Sequence, residues 1–493
     1  MKQLFLLMSL ICITSIQAQD ASDAMRYSID NMNGTARFRA MGGAFGALGG
    51  DFSSIAINPA GSAVFITNQA SITASNFNIK NKSDFFGTKS NMNDTALDLT
   101  QIGALWIFDN GKEDAKWKKI SLAFDFESTN NFNNSIYSTG INPTNSISNY
   151  FNYYANGLPA NIANGNYQFL DYGEQQSYLG LNGSIIRPVA GTTTNEYESD
   201  LTATGNFYQE NAIKTTGFNG KLSINTATSF KDILFLGLNI NLHSIDFTKS
   251  TSFYEDYNGS PNQDPSTGVQ ALRFTNDLYT YGAGFSFQLG AIAKLNDLRA
   301  GLSYESPTWF TLNDELLQTL AVDCPDCATQ NPFYVDPNIT IVYPTYNLRT
   351  PGKINGSLAY VFGRKGLLSI DYTYKDYTNS KFRSGASDVN AEIKNTFTAA
   401  SEIRIGGEYR IKQWSLRGGY RFQESPYKNG KTIGDLNSYS TGLGYNFGDF
   451  KVDLSYTLAK REYEQAFFSR GLTDAAQINS TNNNVSVTVL FEL

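Results

Sequence analysis

The chain has 493 residues, with 38 Lys and Arg against 45 Asp and Glu, one His and three Cys. A net charge of -7 and a pI near 5.0 exclude the basic footprint of a nucleic-acid partner. Mean hydropathy is -0.31 and no run beyond the N-terminus approaches the ~18 apolar residues of a spanning helix, yet aromatics reach 14% with 42 Gly.

In chain order, residues 1–18, "MKQLFLLMSLICITSIQA", place one Lys before an apolar run and a small residue at Ala18. That pattern predicts a secretory signal peptide, with the mature chain starting at Gln19. Leu10 and Ile11 before Cys12 do not suit a lipoprotein signal, so no lipid anchor is expected. After cleavage only Cys324 and Cys327 remain, too few for a disulfide framework.

Residues 36–61, "ARFRAMGGAFGALGGDFSSIAINPAG", follow. Gly50 precedes Asp51 and Phe52 where a P-loop needs Lys and Ser or Thr, and Gly43, Gly46 and Gly49 are spaced three apart, unlike G-x-G-x-x-G. Neither phosphate cradle fits. Residues 19–67 also lack strand alternation.

From residue 68 onward the dominant period is two. "NNNVSVTVLFEL" sets Val485, Val487, Val489, Phe491 and Leu493 against Ser486, Thr488, Leu490 and Glu492. Fourteen strands are predicted near 68–79, 97–108, 117–128, 214–230, 232–250, 272–294, 296–311, 350–362, 366–380, 396–411, 413–424, 436–448, 450–463 and 481–493. Short connections (231–233, 295–297, 363–365, 412–413, 448–449) alternate with long ones (251–270, 313–349, 381–395, 425–435, 464–480). Tight turns at one rim and long loops at the other predict an all-β fold, a closed antiparallel barrel in a bacterial outer membrane. Residues 68–493 form that barrel in this reading, 19–67 a plug inside its lumen, and 129–213 one large external loop with a helix at 175–186. The C-terminal strand is the segment expected to meet the barrel-assembly machinery, and membrane lipid is the outer partner.

Parity assigns the faces. In "SEIRIGGEYRIKQWSLRGGYRF" the inward set is Glu402, Arg404, Glu408, Arg410, Arg417 and Arg421, because charges facing lipid cost several kcal/mol. A two-residue Lys412–Gln413 turn would pair Glu408 with Arg417 and set Glu402 diagonally from Arg421. The third strand turns Asp125 and Glu127 inward. His243, also inward, has no Ser beside it on the same face (Ser244 points out), so a barrel lipase lacks its constellation. Cys324 and Cys327 lie in an external loop, where a loop-stiffening disulfide suits them better than a zinc or redox site. "DYNGSPNQD" begins like a calcium loop but has Pro261 where Gly is needed and Thr267 where Glu is needed.

The stretch "AMGGAFGALGGDFSSIAINPAG" resembles the N-terminal hatch of FadL-type outer-membrane transporters of long-chain fatty acids, toluene and other hydrocarbons. The resemblance rests on Gly42, Gly43, Gly46, Gly49, Gly50 and Gly61 and on the Asn58-Pro59-Ala60 motif, and covers residues 35–65. It implies a fourteen-stranded barrel and a pocket at the mature N-terminus for a hydrophobic ligand. It also implies an exit beside a kinked third strand, with no catalysis and no cofactor. Some relatives are labelled hemin receptors, but His243 alone does not mark a haem site. The third strand, "WKKISLAFDFES", has neither Gly nor Pro to bend it, so its sequence leaves the exit open between a lateral and a periplasmic route. A surface-binding barrel, an adhesin or receptor acting through loop 129–213, is the rival reading.

Overall fold

The computed structural model describes residues 20–112, 114–190, 195–383 and 387–493. The signal peptide and Gln19 lie outside the described residues. Fourteen antiparallel strands close on themselves, the first (Gln69–Phe85) pairing with the last (Ala475–Glu492) from Gln69↔Glu492 to Asp84↔Gln477. Closure satisfies each strand's backbone from its neighbours, which hydrocarbon demands because it offers no hydrogen-bonding solvent.

The remaining strands run Thr88–Asp109, Trp117–Asn131 continued by Asn134–Asn142, Phe207–Phe230, Leu234–Asp256 and Ala271–Leu295. The seventh is Leu298–Glu305 and Trp309–Asp323, interrupted around Pro307. The eighth is pieced together and ends in Lys353–Phe362. Then come Gly366–Asp376, Ala399–Ile411, Trp414–Gln423, Leu436–Asn446 and Phe450–Ala466. Ile405, Leu416, Tyr409 and Trp414 face outward and are exposed, while Glu402, Arg404, Glu408, Arg417 and Arg421 are buried in the lumen.

Several strands run further than their alternation indicates. Residues 80–96, read as a connection, continue the first two strands to a tight turn at Phe86–Gly87. Residues 251–256 and 313–323 are likewise strand. The third-to-fourth ladder reaches Asn142↔Phe207, so residues 129–142 and 207–213 belong largely to the wall rather than to the loop. Beyond the apolar band the outer face of a strand meets water, so the polar–apolar contrast that marks strands disappears.

The loop between them is folded. The helices Ser148–Ala155 and Tyr172–Asn182 pack through Tyr150, Phe151 and Leu179 onto Phe253, Phe274 and Leu320 of the wall. Asp171 and Glu174 form a capping box at the start of the second helix.

The N-terminal segment is threaded through the lumen and bonded to the wall around its circumference. Ala36 N–H donates to Thr488 at 2.7 Å, Gly42 N–H to Ser440 at 3.1 Å and Gly46 N–H to Asp371 at 2.9 Å. Arg299 donates to the Leu48 carbonyl at 2.6 Å, Asn239 to Ile55 at 2.9 Å and Asn225 to Pro59 at 2.9 Å. Thr488, Arg299, Asn239 and Asn225 lie towards the short-turn ends of their strands, and Asp371 and Ser440 near the middle of theirs, so the segment floors the lumen.

Candidate functional site: the plugged lumen

The plug is built by capped short helices and glycine turns. Thr35 caps Ala36–Ala40, Asp51 caps Phe52–Ile55, and Asn58 caps the 3-10 turn Pro59–Val64 through Ala60 N–H at 3.2 Å. Gly42, Gly43, Gly49 and Gly50 have φ between +62° and +76°, a region L side chains rarely enter. Gly46 serves close approach instead: a Cβ there would lie 2.0 Å from Ser357 Oγ on the eighth strand. Gly61 faces Gly49 across the turn, and Asn58 Nδ2 donates to the carbonyls of Gly46 (2.7 Å) and Ala291 (3.0 Å). Gly46, Gly49, Asn58 and Gly61 therefore meet in one knot against the wall, while Gly42 docks on the Tyr420 backbone.

The wall supplies matching glycines to which sequence reasoning gave no role. A Cβ on Gly301 would sit 2.2 Å from the Gly46 carbonyl, and one on Gly419 2.2 Å from Gly42 N. Gly237, Gly290 and Gly406 admit Pro59, Asn58 and Met41 in the same way. Their signal was present in the inward parity of Gly406 and Gly419, each between inward charged residues.

The charge ladder forms with the expected register. Glu408 pairs with Arg417, and Glu402 lies diagonal to Arg421. Glu408 accepts from Arg417 at 2.7 Å and Arg410 at 2.5 Å; Glu402 accepts from Arg404 and Arg421, both at 2.5 Å. The plug joins this network: Arg37 reaches Glu408 at 2.9 Å, and Asp30 lies between Lys353 (3.0 Å) and Lys375 (3.3 Å). Burial alone would raise the Asp30 carboxyl, but the two lysines hold it well below the usual carboxylate range.

Above the plug lies a cavity of about 860 Å³. The first helix, Ala21–Arg26, lines it together with Phe77, Ile136, Ile213, Phe247 and Leu278 from the wall. Arg39, Arg421 and Arg461 supply cationic groups, and Lys249 another. Arg39 and Arg461 bond amide oxygens, Asn33 at 2.9 Å and Gln423 at 2.7 Å, and their Nε groups are buried without partners. Burial presses the Arg39 guanidinium down to about 9, with Arg421 adding to the effect against the pull of Glu127. It stays charged at neutral pH.

The cavity reaches a discontinuity in the wall at Asn131–Asn134. The second and third strands pair from Asp109↔Lys119 only to Gln101↔Glu127. Above that point the third strand turns inward, although it has neither Gly nor Pro. Register shifts at Thr73/Ala74 between the first two strands and at Ser128/Asn130 between the third and fourth supply the bend, since a bulge twists a strand and ends its pairing. The expectation of an unkinked third strand is thereby corrected. Side-chain bonds bridge the seam: Asn131 to Asp98 at 3.2 Å and Ser135 to Asp94 at 2.7 Å.

Two other candidates lie apart from the cavity. His243 meets Ser286 Oγ at 3.0 Å in the lumen wall. Cys324 and Cys327 are joined by a disulfide, Cα–Cα 5.4 Å, in the external loop.

A closed fourteen-strand barrel with a lumenal plug is an outer-membrane transport architecture. The chain belongs to the outer membrane protein transport family (OMPP1/FadL/TodX), whose model matches residues 175–489. It is thus an outer-membrane barrel of a family that transports hydrophobic compounds. A Pseudomonas aeruginosa FadL homologue is 13% identical with a TM-score of 0.53, covering 94% of this chain and 99% of that one. The Pseudomonas putida toluene transporter TodX is 13% identical with a TM-score of 0.52, over 94% and 99%. At such identity the two structures bear on fold alone. No curated protein matches the chain.

Proposed function

We propose that this protein takes up hydrophobic small molecules with an acidic head, of the fatty-acid type, passively and under control of the plug. The cavity carries the reading: about 860 Å³ of partly apolar space, within the ~300–1,000 Å³ usual for small-molecule sites, with arginines whose Nε groups lack partners. An apolar tail would bury against Phe77, Ile213 and Phe247. A carboxylate would supply the charge-assisted bonds that Arg39 and Arg461 lack. The seam beside the third strand offers a way into the outer leaflet, where each buried CH₂ gains ~0.8 kcal/mol. Displacement of the plug is the gating step, and no reacting group is required.

The test compares a fluorescent fatty acid with its methyl ester in proteoliposomes carrying the wild type or Arg39→Leu with Arg461→Leu. Charge-assisted bonds are worth ~1.5–3 kcal/mol, so acid uptake should fall at least about tenfold while ester uptake holds. Equal loss of both probes would remove the acidic-head assignment. Wild-type vesicles that take up neither would leave the surface-binding reading, which rests on the folded external cap.

A further inference from the structure

The outward face of the wall changes character where the thirteenth, fourteenth, first and second strands leave the apolar band. Leu454, Tyr456, Val485, Val487, Ile72 and Leu97 are exposed there and face lipid. The next row up is polar: the Tyr456 hydroxyl donates to Asn483 at 2.8 Å, and Asn78 donates to Thr95 at 2.8 Å. Beyond it the register sets Lys460, Thr481, Lys80 and Asn93 side by side, and then Lys82 between Asn479 and Asn91. The sequence neighbours Asn81 and Arg461 bond inside the barrel, to Asn134 at 2.6 Å and Gln423 at 2.7 Å. Alternation therefore turns Lys80, Lys82 and Lys460 outward, and all three are exposed.

Two strand spacings separate Lys460 from Lys80, ~10 Å, and Lys82 follows ~7 Å along the first strand. Flexible stems let the three ammonium groups close on one multiply charged headgroup. None of the three has an ion-pair partner among the described residues. The outward acids of these strands, Glu462, Glu464 and Asp84, lie further along than the Lys460–Lys80 row. On the fourth to seventh strands the same rim is acidic instead, with Glu210, Asp246, Asp277 and Glu315. Arg273 there is engaged by Ser252 at 3.0 Å and by the Tyr254 ring. We propose that the lysine row is a docking site for the phosphates of an outer-leaflet glycolipid. Its place and charge select this occupant, because the row adjoins the lipid-facing band of an outer-membrane barrel and lysines at that height attract anionic headgroups. Acyl chains then lie on Leu454, Val485 and Ile72, and the Asn91, Asn93 and Asn479 amides meet sugar hydroxyls. The site is independent of what passes through the lumen.

The test titrates the purified full-length barrel with a diphosphorylated, acylated glucosamine disaccharide and with the same lipid stripped of its phosphates. Native mass spectrometry reads the fraction of barrel that carries one lipid. Wild type should hold the phosphorylated form more tightly. Each lysine at a charged lipid surface is worth about a fivefold change in binding, so Lys80→Gln with Lys82→Gln and Lys460→Gln should weaken it roughly a hundredfold. Binding of the stripped lipid should not change. Lys80→Gln alone should lose about fivefold, which keeps the comparison available if the triple variant fails to show the heat-modifiable gel mobility of a folded barrel. Lys214→Gln with Arg273→Gln removes two outward cations from the acidic part of the rim and should match wild type. Equal affinity of wild type for the two lipids overturns the proposal. So does unchanged binding in the folded lysine variants, or an equal loss in the Lys214 and Arg273 control.

Discussion

Replacing Gly46 by Val tests whether the plug is held by close packing on the wall. A Cβ at this position falls 2.0 Å from Ser357 Oγ, 2.5 Å from Asn355 Nδ2 and 3.0 Å from Ser357 Cβ. One methyl group fits only if the Ser357 hydroxyl rotates and the Asn355 amide swings aside, at ~1 kcal/mol each, so Gly46→Ala should weaken docking without undoing it. The two extra methyl groups of Val reach past that hydroxyl, and the plug must lift. Lifting withdraws the Phe45 and Gly46 N–H groups from Asp371 Oδ2, now 3.1 and 2.9 Å away. Bonds to a charged acceptor are worth ~1.5–3 kcal/mol each, so about 3–6 kcal/mol of docking is forfeited. The Gly46 carbonyl also departs from Gly301 and from Asn58 Nδ2. Single-channel conductance in planar bilayers should rise well above wild type, since the lumen is no longer floored, and Ser357→Gly should partly restore closure. Wild-type conductance in Gly46→Val, with native hydrogen-exchange protection of residues 40–50, would refute the reasoning.

Glu408→Gln removes the charge shared by Arg37, Arg410 and Arg417. Breaking a buried pair costs about 3–5 kcal/mol, and the remaining amide acceptor places this change near the lower end. Faster exchange across residues 36–40 is expected, and an unchanged rate would mean the Gly50 carbonyl at 3.0 Å and Asp51 at 3.9 Å suffice to hold Arg37. Burial and then Asp20 raise the Asp23 carboxyl to about 6 from 3.8, against the pull of Arg26 at 2.6 Å. A raised acid binds its proton on docking, so the first helix is held more firmly below pH 4 and loosens as pH rises through 6. The shift of about two pH units corresponds to ~3 kcal/mol. Exchange of residues 21–27, corrected for intrinsic rates, should therefore slow between pH 7.5 and 4.5, and Asp23→Asn should abolish the trend.

Much of this was legible because a membrane wall imposes a simple code. Lipid on one face and a polar lumen on the other force period-two alternation, and a one-residue slip in "SEIRIGGEYRIKQWSLRGGYRF" would turn its charges into hydrocarbon. Parity alone therefore determined the facing of Glu402, Glu408, Arg417 and Arg421, and turn length placed Glu408 opposite Arg417. Alternation combined with short and long connections determined a fourteen-strand barrel. Where the code lapses, so does the reading: residues 80–96 and 251–256 extend above the bilayer, where both faces are polar or capped. The partners of Arg37, Asp30 and Asn33 are hundreds of residues away or set by plug geometry, and no spacing announces them. The bend in the third strand is likewise a tertiary decision. It arises from a register shift against the fourth strand, another between the first two strands, and plug amides of Asn31 and Asn33 bonding the Thr129 and Ser128 carbonyls, and pairing mismatches between strands leave no mark on the residues of one strand.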